Sequence, residues 1–310
     1  MKLITDIIVD NQNLSSCVAT IGFFDGLHKG HKFLIDQVKR TAAEENKISA
    51  VITFPIYPRK VLHPDFNPEL LSTLEERMGH LQDTGIDECF LIPFTFELSQ
   101  LSAYDFMYKV LKRQCNVSTL VIGYDHRFGH NRSEGFNDYV RFGEKLGIEV
   151  LQAKALQLSD FVVSSSVCRS FLLSGDVGKA AECLGYFYSL SGYVINGYKV
   201  GRTIGFPTAN LHITDKDKLI PARGVYAVKV ILRGVFYKGM LNIGSRPTIN
   251  NGDELSIEVN ILGFSGDIYQ EFLRIEFVSL LREEIKFPSV KCLVEQLHRD
   301  RAIVERIITL

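Results

Sequence analysis

The sequence predicts two different folds in succession, a mostly parallel α/β sheet followed by a small antiparallel β-barrel. Up to about Leu184, short β-rich runs alternate with helical patterns, which is the order of a parallel sheet covered by helices. After Gly185 helical patterns nearly vanish, and short apolar runs are separated by Gly and Asn turns. We therefore predict an α/β domain over residues 1–184 and a barrel domain over residues 185–310.

The elements of the α/β part follow one another with regular alternation. Its strands are predicted over residues 17–24, 48–54, 89–94, 119–124 and 149–156. Its helices are predicted after residue 31 and over residues 72–81, 103–113, 137–146, 168–173 and 177–184. In such sheets, ligands bind at the carboxyl ends of the strands, so catalytic and binding residues are expected there.

The barrel part is predicted from short strands and one terminal helix. Its strands are predicted over residues 190–195, 225–232, 235–243, 255–262 and 272–278. Residues 289–308 carry Val290, Leu293, Val294 and Leu297 at helical spacing. We expect this amphipathic helix to pack on the barrel.

Composition excludes several classes of protein. The chain has 310 residues, 46% hydrophobic residues and a formal net charge of -1, which favours neither nucleic-acid binding nor an anionic membrane as partner. The sequence contains no secretion-type N-terminus and no apolar run of about 20 residues, so we expect a cytoplasmic protein. Its six cysteines show no metal-ligand spacing and are expected to be free thiols.

The stretch Ile21–His31, IGFFDGLHKGH, joins the first strand to the first helix. A strand, a tight glycine-containing turn and a helix start together place phosphates against backbone N–H groups and the helix dipole. His28 and His31 could face the same side and stabilise charge on a phosphoryl group. The alternative is that the histidines are capping or solvated residues and that the glycines serve only the backbone.

Two further stretches of the α/β part carry polar groups. Residues 123–129, GYDHRFG, follow a predicted strand. Ser164, Ser165 and Ser166 precede a predicted helix, and Arg169 lies one turn inside it. Serines at a helix start are usually caps, but with an arginine they can also form a phosphate-binding cradle, which we favour here.

In the barrel part, residues 201–210 read GRTIGFPTAN. Thr208 and Asn210 would place two neutral oxygens on one side of an extended segment, which suits Mg²⁺ together with nucleotide phosphates. The alternative is an ordinary Gly-Pro turn. Glu258, in SIEVNILGF, could act as a general base if it points toward Thr208, but a carboxylate on a barrel strand is more often exposed to solvent.

Together these segments resemble a known family. GFFDGLHKGH, GYDHRFG, SSSVCR, GRTIGFPTAN, NIGSRPTI and SIEV occur in the order and spacing of the bacterial bifunctional riboflavin kinase/FAD synthetases, over essentially the whole chain. The resemblance implies a Rossmann-like nucleotidyltransferase domain followed by a riboflavin kinase barrel. It also implies two reactions: ATP-dependent phosphorylation of riboflavin to FMN, and adenylylation of FMN by a second ATP to FAD and pyrophosphate.

The resemblance assigns roles in the adenylyltransferase domain by position. His28 and His31 are expected to stabilise the α-phosphate in the transition state. ATP and FMN are expected to be bound by residues of the other matching segments, namely Gly22, Phe24, Asp25, Gly30, Asp125, Arg127, Ser164, Ser165, Ser166 and Arg169.

In the kinase domain, the resemblance implies that Glu258 is the catalytic base and that Thr208 and Asn210 bind Mg²⁺ and ATP. Further contacts to ATP or riboflavin are expected from Gly201, Arg202, Gly205, Pro207, Arg282 and Phe287. Mg²⁺ is the implied cofactor and ATP the co-substrate. The other partners are riboflavin and FMN, with no nucleic acid and no membrane, and the chain is expected to be a monomer or a weak homo-oligomer.

Several positions depart from the usual pattern of the family. Tyr57 replaces a histidine and Ile56 a proline, while His126 stands where phenylalanine is usual. Ser166, Cys168 and Asn260 also differ from the residues common at their positions. Tyr57 and His126 motivate an alternative, a riboflavin kinase with a weakened or silent adenylyltransferase half. A flavin-binding or nucleotide-binding regulator without catalysis is a further alternative.

Overall fold

A computed structural model describes residues 1–5, 14–124, 126–154, 156, 162–197, 200–247 and 253–309. The chain forms two compact units, Met1–Ser165 and Ser166–Leu310, hereafter unit 1 and unit 2. These units are defined by packing and not by activity, so the predicted domain boundary at residue 184 stays a prediction. Within the described residues, no helix is long and apolar enough to cross a membrane.

Unit 1 contains a six-stranded sheet in the order β1-β4-β3-β2-β5-β6, and every paired strand is parallel. Its strands are β1 (Lys2–Ile4), β2 (Cys17–Ile21), β3 (Ile48–Thr53), β4 (Glu88–Leu91), β5 (Val117–Ile122) and β6 (Glu149–Gln152). This confirms the predicted parallel sheet. Only β1, with three residues, has no counterpart in the sequence prediction, because so short a run shows no clear periodicity.

Strand β2 lies at the point where the strand order reverses. From β2 the chain continues to β3 and β4 on one side, and then returns to β5 and β6 on the other side. In open α/β sheets, ligands bind in the crevice at the carboxyl ends of the two strands that flank such a switch point. The topology therefore points to the residues that follow β2 and β5.

The apolar run of β2 is explained by burial on both faces. All five residues of Cys17–Ile21 are buried. Cys17, Ala19 and Ile21 pack into the core on one face of the sheet, while Val18 packs into the core on the other face. A central strand of a parallel sheet is covered by helices on both sides, so its sequence reads as a continuous apolar run.

The helices of unit 1 are α1 (Lys29–Glu44), α2 (Pro58–Leu62), α3 (Leu74–Asp83), α4 (Phe96–Ser99), α5 (Ala103–Phe106) and α6 (Phe136–Leu146). The helices α1, α3, α5 and α6 agree with predicted ones in order and position, whereas the short helices α2 and α4 were not predicted. The helix predicted over residues 103–113 is α-helical only in its first turn and continues as a π-helix over Met107–Gln114. Hydrophobic spacing does not distinguish these two backbone forms over so short a segment.

Two helices predicted with the α/β part lie almost entirely in unit 2. They are α7 (Ser165–Leu173) and α8 (Val177–Leu184). The backbone N–H of Ala222 donates to the carbonyl of Leu172. Helix α8 packs against the barrel strand β12 (Phe272–Arg282).

Unit 2 is built on a closed six-stranded barrel in the order β10-β11-β8-β7-β12-β9, with antiparallel pairing throughout. Besides β12, its strands are β7 (Ser189–Ile195), β8 (Ala209–His212), β9 (Gly224–Leu232), β10 (Val235–Pro247) and β11 (Asp253–Ile261). The predicted barrel is confirmed. Strand β8 was not predicted, because its four residues directly follow a Gly-Pro loop that the sequence presents as a turn.

Two helices complete unit 2. The short helix α9 (Val200–Thr203) precedes β8, and the terminal helix α10 (Val290–Ile307) confirms the predicted amphipathic helix. Val304 of α10 is buried in a core that includes Phe206 and Met240, and Val294 and Leu297 pack at its edge. The helix therefore packs on the barrel by its apolar face, as its spacing predicts.

Candidate active sites

The turn between β2 and α1, here called the histidine site, has an unusual backbone. Phe24, Gly26 and Leu27 have φ angles of 57°, 72° and 33°, all in the left-handed region. His28 then takes an extended conformation and caps α1, because its Nδ1 accepts a hydrogen bond from the backbone N–H of His31 at 3.2 Å. Since Nδ1 is the acceptor, the neutral His28 ring carries its proton on Nε2.

The two histidine rings of this site are stacked. Their centroids are 3.6 Å apart and their planes differ by 17°. Nδ1 of His31 is buried and has no hydrogen-bond partner in the described part of the chain. Burial, followed by the charges of His28 and His126, holds the pKa of His31 well below its usual range. His31 is therefore a neutral imidazole that can donate one hydrogen bond to a ligand oxygen.

Asp25 holds the turn in place. Its buried carboxylate accepts hydrogen bonds from the backbone N–H groups of Leu71 at 3.0 Å and Ser72 at 3.2 Å. The N–H of Gly26 donates to the Ser72 hydroxyl at 3.0 Å, and the Ser165 hydroxyl donates to the Asp25 carbonyl at 3.0 Å. These contacts fix the left-handed turn, because each one satisfies a buried polar group.

Arg77 of α3 supports the same turn and was not identified from the sequence. Its side chain is fully buried, and it donates to the carbonyls of Phe23 at 2.9 Å and Phe54 at 2.7 Å. The guanidinium also lies 3.8 Å from the Phe23 ring centroid. Burial lowers the pKa of Arg77 to about 10, and the charge of Asp25 opposes that shift. Arg77 thus joins the carboxyl ends of β2 and β3.

Arg77 could have been found by its position in the helical pattern. Arg77 and Leu81 are four residues apart and are the buried residues of α3. An arginine on the apolar face of a helix indicates that its charge has a specific partner inside the protein.

Three other residues assigned to this site pack against its rings. A β-carbon at Gly22 would lie 3.1 Å from the Phe24 ring, and one at Gly30 would lie 3.1 Å from the His28 ring. The Phe24 ring in turn meets His31 edge to face, with centroids 5.2 Å apart. Gly22, Phe24 and Gly30 are therefore brought together with the two histidines.

The second edge of the switch-point crevice follows β5. A cavity of about 210 Å³ is lined there by residues that include Gly123, His126, Arg127 and Phe136. The Arg127 side chain is exposed and donates to the carbonyl of Arg132 at 3.4 Å. Asp125, which was assigned to the same segment, lies outside the described residues.

The serine segment is divided between the two units. Ser164 and Ser165 end unit 1, and Ser165 contacts Asp25 as described above. Ser166 and Arg169 belong to unit 2, where Ser166 is exposed. The predicted phosphate cradle of these four residues stays a prediction.

Tyr57, which departs from the family pattern, lies just after β3. Its ring meets Phe23 edge to face with centroids 4.9 Å apart, and it stacks with Phe66 at 6.1 Å. Phe23 precedes the histidine turn and is covered by Arg77. Tyr57 is therefore in contact with the support of the histidine site.

A second group, here called the barrel site, consists of Thr208, Asn210 and Glu258. Asn210 and Glu258 face each other directly across β8 and β11. The Thr208 hydroxyl donates to Glu258 Oε2 at 3.1 Å, and the Ser256 hydroxyl donates to Oε1 at 3.0 Å. The pairing register thus turns Glu258 toward Thr208, an orientation that the sequence left open.

The loop before β8 is shaped to bring these groups together. Gly205 has a φ angle of 82°, and the N–H of Phe206 donates to the Gly201 carbonyl at 2.8 Å. The Asn260 amide donates to the Pro207 carbonyl at 2.7 Å. Asn260 lies two residues beyond Glu258 on the same strand face, so one strand orients both the carboxylate and the Thr208 loop.

A cavity of about 650 Å³ reaches this group at Thr208 and otherwise lies along the opposite face of β8 and β11, to which Ala209 and Val259 point. It is lined by the polar residues Arg202 and Thr208 and by an apolar wall that includes Val259, Phe264 and Tyr269. A cavity of this size, lined by apolar residues and by polar ones that also include Asp267, is typical of a small-molecule site. Arg202, Pro207 and Thr208 thus line one cavity, and their assignment to ATP or riboflavin stays a prediction.

Arg282 and Phe287 lie beside each other at the end of β12. The Arg282 guanidinium is 5.6 Å from the Phe287 ring centroid. Its Nε donates at 3.0 Å to Asp300 of α10, whose carboxylate is buried and also accepts from Gln296 at 2.8 Å. Arg282 is therefore fixed to the terminal helix.

Comparison with known proteins identifies the family. A family model described as FAD synthetase matches residues 10–167, and one described as riboflavin kinase matches residues 184–308. A bifunctional riboflavin kinase/FMN adenylyltransferase of Haemophilus influenzae is 35% identical over 301 residues, covering 97% of each chain. One from Listeria monocytogenes is 36% identical and covers 91% of this chain and 90% of its own length.

The fold is also found among solved structures. A Streptococcus pneumoniae structure, titled a macrolide-efflux protein, aligns over 100% of both chains with a TM-score of 0.88 and 30% sequence identity. The family models and the relatives agree in the order of the two domains along the chain. On this evidence the chain belongs to the bifunctional riboflavin kinase/FMN adenylyltransferase family.

Proposed function

We propose that unit 2 phosphorylates riboflavin to FMN at the barrel site, and that unit 1 adenylylates FMN to FAD at the histidine site. The observation that carries this proposal is the difference between the two donor sets. The barrel site pairs a carboxylate with a hydroxyl, while the histidine site presents two stacked imidazoles. The first set suits a nucleophile that must lose a proton, and the second suits a nucleophile that is already an anion.

In the kinase reaction, Glu258 accepts the proton of the riboflavin 5′-hydroxyl as its oxygen attacks the γ-phosphorus of ATP. The P–O bond to the β-phosphate breaks, which gives FMN and ADP. The hydrogen bonds from Thr208 and Ser256 orient both carboxylate oxygens. Positioning of this kind supplies much of the catalysis in phosphoryl transfer.

Mg²⁺ fits the barrel site. Thr208, Asn210 and Glu258 offer hydroxyl, amide and carboxylate oxygens, which are the hard ligands that Mg²⁺ takes together with phosphates and water. Thr208 and Asn210 would hold the ion. When bound, it would neutralise charge on the phosphates of ATP.

In the adenylyl transfer, the terminal phosphate of FMN attacks the α-phosphorus of ATP, and pyrophosphate leaves. This nucleophile is an anion and needs no general base. His28 and His31 would donate hydrogen bonds to the α-phosphate as charge develops on its oxygens. The buried Nδ1 of His31 that lacks a protein partner supports a ligand atom at this position.

The proposal is tested by following flavins by HPLC, first from riboflavin with excess Mg·ATP and then from FMN. We expect FMN to appear and then to be converted to FAD, and chelation of Mg²⁺ by EDTA to stop both reactions. Failure to form either product would contradict the proposal.

A second candidate function is a riboflavin kinase with a silent unit 1. It is favoured by Tyr57, which packs on Phe23 next to the histidine turn, and by His126, whose charge adds to burial and to the charge of His28 in lowering the pKa of His31. In that case the assay from FMN would yield no FAD while riboflavin is still phosphorylated. Robust FAD formation from FMN would exclude it.

We further propose that the protein acts in the cytoplasm, where ATP is available, as a monomer or weak homo-oligomer without nucleic acid. Cell fractionation with an antibody and light scattering of the purified chain over a concentration series test these points. Recovery in the membrane fraction, or a large stable assembly, would contradict them.

A further inference from the structure

Gly244 of β10 is a glycine because another side chain occupies the space above it. A β-carbon at Gly244 would collide with Oε1 of Glu284 and would lie 2.9 Å from Nδ2 of Asn242. Glu284 comes from the segment after β12, so it reaches this strand from outside the β10–β11 pair. Its carboxylate therefore lies directly over the backbone of Gly244.

The pairing register shows which face of the barrel Glu284 covers. Gly244 is paired with Ser256, and Asn242 is paired with Glu258. Residues directly opposite each other in an antiparallel pair share a face, as do residues two apart along a strand. Glu284 and Asn242 are thus on the same face as Ser256 and the proposed base Glu258.

Neither Glu284 nor Asn242 makes a side-chain hydrogen bond or ion pair with another residue in the described part of the chain. The neighbouring Arg282, in contrast, is anchored to the buried Asp300 and also donates to the Glu283 carbonyl at 3.1 Å. The segment that follows β12 is therefore fixed at Arg282, while the Glu284 carboxylate lies against the β10–β11 pair. Glu284 is exposed and Asn242 is half-buried, so both groups are accessible to a polar ligand and free to bind it.

The charge and the position of these groups select the ligand. A carboxylate repels phosphate groups, so Glu284 does not suit the polyphosphate of ATP. A carboxylate and an amide are good partners for hydroxyl groups. The substrate that offers its terminal hydroxyl to Glu258 carries further hydroxyls along the same ribityl chain. We propose that Glu284, together with Asn242, binds the ribityl hydroxyls of riboflavin, an inference that rests on the kinase function proposed above.

The test compares riboflavin with lumiflavin, which has the same ring system with a methyl group in place of the ribityl chain. The KM for riboflavin and the Ki of lumiflavin as an inhibitor are both measured on FMN formation by the full-length chain, so that both report on the barrel site. In Glu284→Ala we expect the KM for riboflavin to rise about tenfold, as for the loss of one hydrogen bond to a charged group. The Ki of lumiflavin and the KM for ATP should not change.

Glu283→Ala is the matched control, because Glu283 is the adjacent exposed carboxylate of the same segment and is not placed over Gly244. It should leave all three constants at their wild-type values. FAD formation from FMN should be unaffected in both variants. A wild-type chain that makes no FMN would refute the kinase function itself, which distinguishes that failure from failure of the ribityl proposal.

Gly244→Ala tests the same contact by changing the strand residue beneath the Glu284 carboxylate. The added methyl group must displace the Glu284 carboxylate, so it should also raise the KM for riboflavin and spare the Ki of lumiflavin. Both substitutions remove the same contact. The KM for riboflavin in the double variant should therefore be no higher than in the more affected single variant.

Three results of the Glu284→Ala measurements would overturn the proposal. The first is an equal rise in the KM for riboflavin and the Ki of lumiflavin, and the second is a variant indistinguishable from Glu283→Ala. The third is a change in the Mg²⁺ dependence of FMN formation with no change in the KM for riboflavin, because Glu284 would then act on the metal and not on the ribityl chain.

Discussion

The histidine site and the barrel site, to which we assign the two phosphorus transfers, have opposite architectures. At the histidine site, the proposed active groups lie on a turn at the carboxyl ends of parallel strands, and the backbone is held in left-handed conformations by Asp25 and Arg77. At the barrel site, the proposed active groups lie on and beside antiparallel strands and are held by the pairing register of β8 and β11. The first site depends on buried support, and the second depends on strand register.

This difference determines how each site fails. A parallel sheet presents its strand ends, so the residues that act there need a shaped loop and a set of buried polar contacts to fix it. A barrel strand presents every second side chain to one face, so its active groups are fixed by the sheet itself. We therefore expect substitutions of the supporting residues to impair the histidine site, as substitutions of its histidines do. The barrel site should be sensitive mainly to substitutions of the groups on its strands.

The largest effect is expected at Glu258. Glu258→Gln keeps the size of the side chain but removes the base, so kcat for FMN formation should fall about 10²–10⁴-fold, as for loss of a general base. FAD formation from supplied FMN should stay within twofold of the wild-type rate and serves as the internal control. Initial rates of both reactions by HPLC test this, and equal loss of both would mean that the two sites are not independent.

The converse change is made at the histidine turn. His28→Ala or His31→Ala removes one donor to the α-phosphate, so FAD formation should fall about 10²–10³-fold while FMN formation is retained. The control is His63→Ala, because His63 is an exposed histidine of the same unit. If the histidine variants kept the wild-type rate of FAD formation, neutral imidazoles would not be the catalytic groups of unit 1.

The dependence of the histidine site on buried support is tested at Arg77. Arg77→Met leaves the carbonyl of Phe54 without its side-chain donor and that of Phe23 with only the Thr53 hydroxyl, which should lower the free energy of unfolding of unit 1 by about 3 kcal/mol. Arg59→Met is the matched control, since Arg59 is an exposed arginine over the Phe66 ring and should contribute less than about 1 kcal/mol. Urea unfolding monitors both variants, and equal effects would contradict the role of Arg77.

The smallest effect is a dependence of stability on pH. The pKa of His31 in the folded chain lies well below the ordinary value of 6.5, because burial and the charges of His28 and His126 disfavour its protonated form. Below pH 6.5 the unfolded chain therefore binds a proton that the folded chain does not, and stability falls with falling pH by at most about 1.4 kcal/mol per unit. Thermal unfolding of wild type and His31→Asn at pH 7.5 and 5.5 tests this. The variant should lose less stability than the wild type between pH 7.5 and 5.5. An equal loss in both proteins would assign the effect to other groups.

The two folds were predictable because each rests on periodicity. Strand β2 is apolar throughout, since it is buried on both faces, and α10 shows its apolar face at helical spacing. The short helices α2, α4 and α9 were missed, as were the strands β1 and β8, with three and four residues. Such short strands owe their existence to pairing with neighbours and show too little pattern of their own.

For the candidate sites, the sequence by itself determined which residue types stand after which strands. It indicated His28 and His31 after β2 and the Thr208, Asn210 and Glu258 set in the barrel part. These residues can be recognised from the sequence because helix capping, glycine turns and neighbouring oxygen donors are local features of the chain.

Only the tertiary structure decided the contacts between residues far apart in sequence. Glu258 faces Thr208 because β11 pairs with β8 in one register, and a shift of one residue would turn its side chain to the other face. Arg77 reaches the carbonyls of Phe23 and Phe54, and Glu284 reaches Gly244, across distances that no local pattern records. These positions depend on how the whole chain packs, which is why residue type and spacing alone could not reveal them.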